Sequence, residues 1–334
     1  VVELSTIPQE VLDIAEGIRS MRIRGAGKIA RSAAEALRIA AEKYQGEREP
    51  SVFRRYMAKV ADTLIETRPT AVSLPNAVMY VMQAVFRQTS DFDELRRGVI
   101  DAANKFIEDS LNAVKRIAEF GSKRIRENSV ILTHCHSTAA VSVITEAYRQ
   151  GRVVKVYSTE TRPFYQGRIT TRQLLENGVP VVQIPDSAVR YIMHEVDQVV
   201  IGADTITSNG AVVNKIGTSQ VALAAHEARV RVFVAAETYK FSPMTVIGEL
   251  VPIEFRDPTE VVPREWLEKH KNVRVLNPSF DVTPPEYIDA IITEVGVIPP
   301  QAAIMVLTER LGWAIDKIKQ AGLTKLRFED LVED

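Results

Sequence analysis

The chain of 334 residues holds a single cysteine, Cys135. That scarcity excludes an intrachain disulfide framework and a cluster of thiolate metal ligands, and it fits a reducing, cytoplasmic setting. Net charge is nearly absent too, since 42 Lys and Arg face 43 Asp and Glu for a formal value of -1. No global basic field points to nucleic acid and no acidic tail to a charged partner, so any anion site must be local. Uncharged apolar runs stay well short of the ~20 residues that a membrane span needs. The opening VVELSTIPQEVLDIAEG mixes acids with apolar residues where a signal peptide would carry a basic segment and then an apolar one. A soluble protein is expected. Internal repeats and low-complexity tracts are missing. So are a nicotinamide-type GxGxxG after a strand, a Walker lysine loop and Ser-His-Asp spacing, which leaves redox chemistry and hydrolysis without support. No cofactor is expected.

What the chain does have is an apolar share of 46%, ample for one large domain or two ordinary ones. The spacing predicts helices over 10–21, 28–44, 51–67 and 75–87, then a long amphipathic one over 92–125. In that last helix Leu95, Val99, Ala102, Phe106, Leu111, Val114 and Ile117 recur close to the helical period. The grammar then changes. Short apolar runs at 129–133, 153–157, 181–184, 198–201 and 231–235 alternate with helix-like stretches at 139–149, 171–177, 187–195 and 219–228. Such alternation implies a parallel sheet with helices on both faces. From about Val251 the text is Pro-rich, and 300–320 predicts a final helix. The expected class is α/β, with an all-helical domain over 1–126 and a mainly parallel sheet in a domain over 127–334.

The stretch VVIGADTITSNGAVVNK, Val199 to Lys215, is the most informative. Its apolar start reads as a buried strand ending at Gly202-Ala203, with Asp204 at the exit and Asn214-Lys215 shortly before a helical SQVALAAHEA. A carboxylate at a strand end and a cation near a helix start are how an open α/β sheet receives an anionic substrate. Cys135, in THCHSTAA, occupies a second strand exit, where a helix N-terminus would favour its thiolate. The bland readings are an inert buried thiol for Cys135 and a turn residue for Asp204. His134 and His136 flank the cysteine, but neighbours on a strand point to opposite faces and no CxxC or HxxxH is present, so no metal is expected. Two proton carriers on one sheet edge suggest proton relocation.

Anion-binding candidates lie elsewhere as well. In RIRGAG, Gly25, Ala26 and Gly27 break a helical region beside Arg24, as a phosphate cradle or a plain solvated turn. Arg68 precedes Pro69, and Lys240 follows the run at 231–235. Ser137 can cap a helix or bind a phosphate oxygen. Arg24, Arg68, Lys215 and Lys240 all stand beside structural breaks and together would suit a doubly phosphorylated small molecule.

At these residues a resemblance becomes specific. GADTITSNGAVVNKIGTSQ, THCHS, ETRP at Glu160 to Pro163, AAETYKF and RIRGAG resemble the superfamily of sugar-phosphate isomerases related to the regulatory subunits of translation initiation factor 2B. The likeness covers nearly the whole chain. Among its branches, the archaeal ribose-1,5-bisphosphate isomerases share the RGAG, HCHS and GAD patterns. Methylthioribose-1-phosphate isomerases share the cysteine, the aspartate and the Asn-Lys pair, but usually carry proline at the position of Gly27 and differ after the cysteine. Alpha-type regulatory subunits typically lack both cysteine and aspartate. The resemblance thus implies an isomerase with a helical domain followed by a Rossmann-like one. It implies Cys135 and Asp204 as catalytic acid and base, and bisphosphate contacts from Arg24, Gly25, Ala26, Gly27, Arg68, Ser137, Asn214, Lys215 and Lys240. It also implies a homo-oligomer, with a dimer-based hexamer expected over a plain dimer. For the chemistry, Asp204 should have its pKa raised by burial and Cys135 its pKa lowered by helix N–H groups and nearby cations.

Overall fold

The computed structural model describes residues 6–68, 71–248, 250–321 and 327–332. It opens with five helices: α1 (Gln9–Arg19), α2 (Ala26–Glu42), α3 (Pro50–Ile65), α4 (Ser73–Met82) and α5 (Phe92–Ser122). Their starts follow from local chemistry. Pro50 takes the first position of α3, where its missing N–H costs nothing. Asp91 Oδ1 accepts the N–H groups of Asp93 and Glu94 at the head of α5, at 2.8 and 3.3 Å. Apolar stripes then bury Ile29, Ala33, Leu37 and Ala40 of α2 against Phe53, Tyr56 and Met57 of α3 in one helical core.

Ten strands follow in the order β1 (Ser129–Thr133), β2 (Val153–Thr159), β3 (Val181–Ile184), β4 (Gln198–Gly202), β5 (Thr205–Ile206), β6 (Val212–Lys215), β7 (Arg231–Ala235), β8 (Phe280–Thr283), β9 (Ala290–Thr293) and β10 (Gly296–Ile298). Between and after them run α6 (Thr138–Arg149), α7 (Gln166–Glu176), α8 (Val189–Ile192), α9 (Thr218–Glu227), α10 (Arg264–Lys269), α11 (Ala303–Ala321) and α12 (Phe328–Val332). The main sheet has the order β10-β9-β7-β4-β1-β2-β3, parallel throughout except for β10 at one edge. Its central strand β4 is buried from end to end, because helices cover both faces. The expected α/β class with a mainly parallel sheet is the one found.

Three features depart from expectation. The helix expected from 171 begins at Gln166, and the stretch 187–195 holds only the single turn of α8 between 3-10 turns. A second, antiparallel sheet, β5-β6-β8, joins residues far apart in the chain. Finally, the chain forms two compact units that no single cut after residue 126 separates. The first contains the described parts of Val1–Asn112, Tyr239–Glu249 and Leu307–Asp334, and the second Ala113–Thr238 and Leu250–Val306. Later segments return to the helical unit because their apolar side chains bury there: Tyr239 and Phe328 belong to its core. The N–H of Phe328 donates to Asp62 Oδ1 of α3 at 2.9 Å.

Candidate active site

The order of the main sheet locates the site. From β1 the chain builds outward through β2 and β3 on one side, then resumes with β4, β7 and β9 on the other. The carboxyl ends of β1 and β4 are therefore the point where the winding reverses, which is where open α/β sheets take their ligands. Two segments leave from it, residues 134–137 and 202–204. They lie against each other so closely that a Cβ on Gly202 would fall 2.4 Å from Ser137 Cβ and 2.5 Å from Ser137 Oγ. Ser137 is the N-cap of α6, its Oγ accepting the N–H of Ala140 at 3.2 Å.

Cys135 sits two residues ahead of that cap in the left-handed region, with φ 64°. Its N–H donates to Thr161 Oγ1 at 2.9 Å, and its carbonyl accepts Thr170 Oγ1–H at 2.8 Å. The residue is partly exposed, but its thiol is enclosed by protein. Burial pushes the thiol up to about 12, with the Asp204 carboxylate adding to the rise, while the Lys215 ammonium and the His136 N–H pull the other way. The expectation of a lowered thiol is thus overturned: the helix N–H and the cation are present, but desolvation and a nearby carboxylate outweigh them.

Asp204 is half-buried, and its N–H donates to the carbonyl of Val213 at 3.0 Å across the β5–β6 hairpin. That bond carries the chain back so that Asn214 and Lys215 end beside the same sheet edge. Lys215 is buried, its ammonium 4.9 Å from the ring centroid of Phe280, its cross-strand partner. Burial lowers its pKa and Arg256 adds to this, whereas the charges of Cys135 and Asp204 hold it up. Cys135, Asp204 and Lys215 are therefore one electrostatically coupled group. Asn214 donates from Nδ2 to Thr218 Oγ1 at 3.0 Å, whose hydroxyl donates to the carbonyl of Lys215 at 2.6 Å. Asp281, opposite Asn214 on β8, accepts the N–H groups of Gly217 and Ser219 at 2.8 and 3.1 Å and so caps α9. Burial still raises its carboxyl to about 6 against those donors.

The other candidates belong to the first unit. Gly25 caps α2 with φ 87°, and a Cβ there would meet nothing within 4 Å, so the backbone rather than space demands glycine. Ala26 and Gly27 begin α2, ahead of its first bond from Ile29 N–H to the Gly25 carbonyl, and Arg24 is exposed beside them. Arg68 is half-buried; Pro69 lies outside the described residues. Lys240 is buried, in a segment gripped by Asn76 of α4, whose Nδ2 donates to the carbonyls of Tyr239 and Phe241 at 2.8 and 2.7 Å. Ser110 Oγ of α5 donates to Tyr239 Oη at 3.3 Å and accepts from Arg31 of α2 at 3.1 Å. The elements carrying the glycine loop and Lys240 are thus cross-linked.

Sequence reasoning missed Asn76, Thr161, Thr170, Tyr239 and Asp281. Only Thr161 and Tyr239 gave a signal, since they lie within ETRP and AAETYKF. Among the described residues, no group of three or more His, Cys, Asp or Glu is placed to hold a metal ion, and no helix is long and apolar enough to cross a membrane.

Fold and site together define an α/β protein with a thiol, a carboxylate and an ammonium at the reversal point of its sheet. The initiation factor 2 subunit family model matches residues 22–300, and the chain belongs to that family. Ribose 1,5-bisphosphate isomerase of Thermococcus kodakarensis is 55% identical over 313 residues, spanning 92% of this chain and 97% of its own. Methylthioribose-1-phosphate isomerase of Acetivibrio thermocellus is 36% identical over 302 residues, spanning 86% of this chain and 88% of its own. Among solved structures, translation initiation factor eIF-2B of Pyrococcus horikoshii OT3 superposes with a TM-score of 0.74 at 32% identity, over 89% of this chain and 99% of its own. The chain is an isomerase, as its likeness to isomerases along nearly its whole length shows.

Proposed function

We propose that the protein converts ribose 1,5-bisphosphate into ribulose 1,5-bisphosphate in the breakdown of nucleotides such as AMP. The observation that carries this reading is the coupled group of Cys135, Asp204 and Lys215 at the sheet's reversal point. A thiol, a carboxylate and an ammonium that feel one another's charge suit proton transfer rather than binding alone. Identity of 55% to a ribose 1,5-bisphosphate isomerase against 36% to a methylthioribose-1-phosphate isomerase, with Gly27 and Ser137 in place, favours the bisphosphate.

The substrate's anomeric carbon bears a phosphate, so the ring must open with that phosphate attached. Asp204 protonates the ring oxygen while Cys135, as thiolate, takes the proton from carbon 2, giving a cis-phosphoenolate. Cys135 then protonates carbon 1 as the Asp204 carboxylate accepts the proton of the carbon-2 hydroxyl, which yields the ketose and restores both groups. Because the thiol is held high, the resting protein carries a proton on sulfur. The reactive form shifts that proton to Asp204, and Lys215 stabilises the thiolate left behind. Ser137, Asn214, Arg24, Gly25, Ala26, Gly27, Arg68 and Lys240 serve as donors to phosphate oxygens. The enzyme acts in the cytoplasm as a homo-oligomer.

Incubation with each sugar phosphate tests the reading. Ketose should form from ribose 1,5-bisphosphate and not from methylthioribose 1-phosphate; the reverse, or ketose from neither, rejects it. Turnover in deuterium oxide should place deuterium at carbon 1, and a product without it would instead indicate hydride transfer from carbon 2. Light scattering that finds only monomer would reject the oligomer.

A further inference from the structure

We propose that Thr161 and Thr170 are positioning residues that clamp Cys135 in its left-handed backbone conformation, and that His134 and His136 set the direction in which the two hydroxyls point. The inference rests on Cys135 being the proton carrier of the proposed reaction. It concerns four residues to which that reaction assigns no step.

Left-handed φ is uncommon for a residue with a Cβ, and where it persists the surroundings must hold it. At Cys135 they do so from both sides, with Thr161 on the N–H and Thr170 on the carbonyl. Thr161 is itself left-handed, at φ 61°, and Asp186 Oδ1 fixes it by accepting its N–H at 2.8 Å. Thr159, Thr161 and Thr170 are all buried, so their hydroxyls have no water to turn to.

Hydrogen-bond polarity then follows link by link. The carbonyl of Ile216 can only accept, so His134 Nε2, 3.0 Å away, carries the proton. His134 Nδ1 is then an acceptor, and Thr159 Oγ1, at 2.7 Å, donates to it. Thr161 Oγ1, at 3.2 Å, donates in turn to Thr159, which leaves its own lone pairs facing the N–H of Cys135. On the other side the Cys135 carbonyl can only accept. Thr170 therefore donates to it, and His136 Nδ1–H donates to Thr170 at 3.1 Å. Burial pushes both imidazoles down, which keeps them neutral and these directions fixed. Ile216 follows Lys215 directly, so the first relay ties the loop of the thiol to the strand end that bears the ammonium. The clamp thus fixes Cys135 where Lys215 and the His136 N–H can meet its sulfur.

Thr161→Val and Thr170→Val remove each hydroxyl at nearly constant shape, while Thr161→Ser and Thr170→Ser retain it. Two readouts are followed: steady-state turnover, and the pH profile of Cys135 alkylation by iodoacetamide. A Val variant should lose about a hundredfold in kcat, the order expected of a misplaced reacting group, with KM within about threefold of the parent. Its alkylation midpoint should fall toward that of an ordinary thiol as the released sulfur gains solvent, and its alkylation at pH 8 should quicken. The Ser variants should match the parent in both readouts. Lost turnover with an unchanged alkylation profile, or a shifted profile with parental kcat, overturns the clamp. Should one Val variant not fold, the other breaks the opposite side and decides the matter alone. If the parent turns over neither sugar phosphate, the proposed reaction fails, and the alkylation comparison still tests the clamp.

Discussion

Replacing Gly202 by alanine tests the contact on which the site's shape depends. The added Cβ would meet Ser137 at 2.4 Å from its Cβ and 2.5 Å from its Oγ. Non-bonded carbons rest about 3.5–4.0 Å apart, so one chain must move by more than about 1 Å. Neither yields cheaply, since Gly202 is paired with Ala235 in the sheet and Ser137 is bonded into the first turn of α6. Overpacking typically costs about 1–3 kcal/mol, and dislodging an N-cap adds about 1 kcal/mol. Gly202→Ala should therefore destabilise by about 2–4 kcal/mol. Ser137→Gly removes both offending atoms, and glycine at an N-cap costs only about a few tenths of a kcal/mol. In that background Gly202→Ala should become at least about 1.5 kcal/mol cheaper, far beyond the ~0.3–0.5 kcal/mol scatter of independent sites. Urea denaturation midpoints of the four proteins at a common m-value supply the cycle. Equal cost in both backgrounds, to within about 0.5 kcal/mol, would refute the packing of Ser137 on Gly202.

Cys135→Ser and Asp204→Asn should each cut kcat by orders of magnitude while sparing substrate binding, as measured by single-turnover and binding assays; near-parental turnover in either removes it from the reaction. Arg68→Ala and Lys240→Ala should raise KM before they touch kcat, and an unchanged KM in both would exclude them as phosphate ligands. Stability should carry the signature of the enclosed thiol. Because its folded pKa lies above the ordinary value of 9.0, its contribution is intact below about pH 9 and is lost as pH climbs toward about 12. Relative to Cys135→Ala, the parent should lose about 2 kcal/mol between pH 8 and pH 10.5, and parallel stability curves would show that the thiol is not held high. Asn76→Leu strands two buried carbonyls beside Lys240 and should cost about 2–4 kcal/mol while raising KM; a neutral change in denaturation midpoint would contradict the grip seen here.

What could be read from sequence was whatever local pattern encodes. The bounds of β1, β3 and β7 match the apolar runs residue for residue, and α5 ends within one turn of its expected limit. The cores of β1 and β7 announce themselves because a buried parallel strand is largely an apolar run, while β3, at the sheet edge, is marked by its short β-branched stretch. The β5-β6-β8 sheet did not, since its strands are short and β6 finds its second partner only after the Pro-rich text, in Phe280–Thr283. Cys135, Asp204 and Lys215 were legible by their positions at breaks, but their coupling was not. The thiol's direction of shift was misjudged because a helix start is visible in sequence and burial is not. Thr170, Asp281 and Asn76 act through contacts that span the fold, and no spacing along the chain marks them.

The β5–β6 hairpin also dictates how such a protein can change over time. Thr205 faces Val213, and the N–H of Asp204 bonds the Val213 carbonyl, so ladder register rather than linker length spaces the carboxylate from Lys215. Strand side chains alternate, and one residue inserted in the β6 arm would swing the ammonium away from Phe280 and to the opposite face. The tip offers no slack, because a Cβ on Gly210 would lie 2.2 Å from the carbonyl oxygen of Pro300. The segment is a spacer of fixed length. A single insertion or deletion in it would break the spacing between Asp204 and Lys215 that the ladder sets.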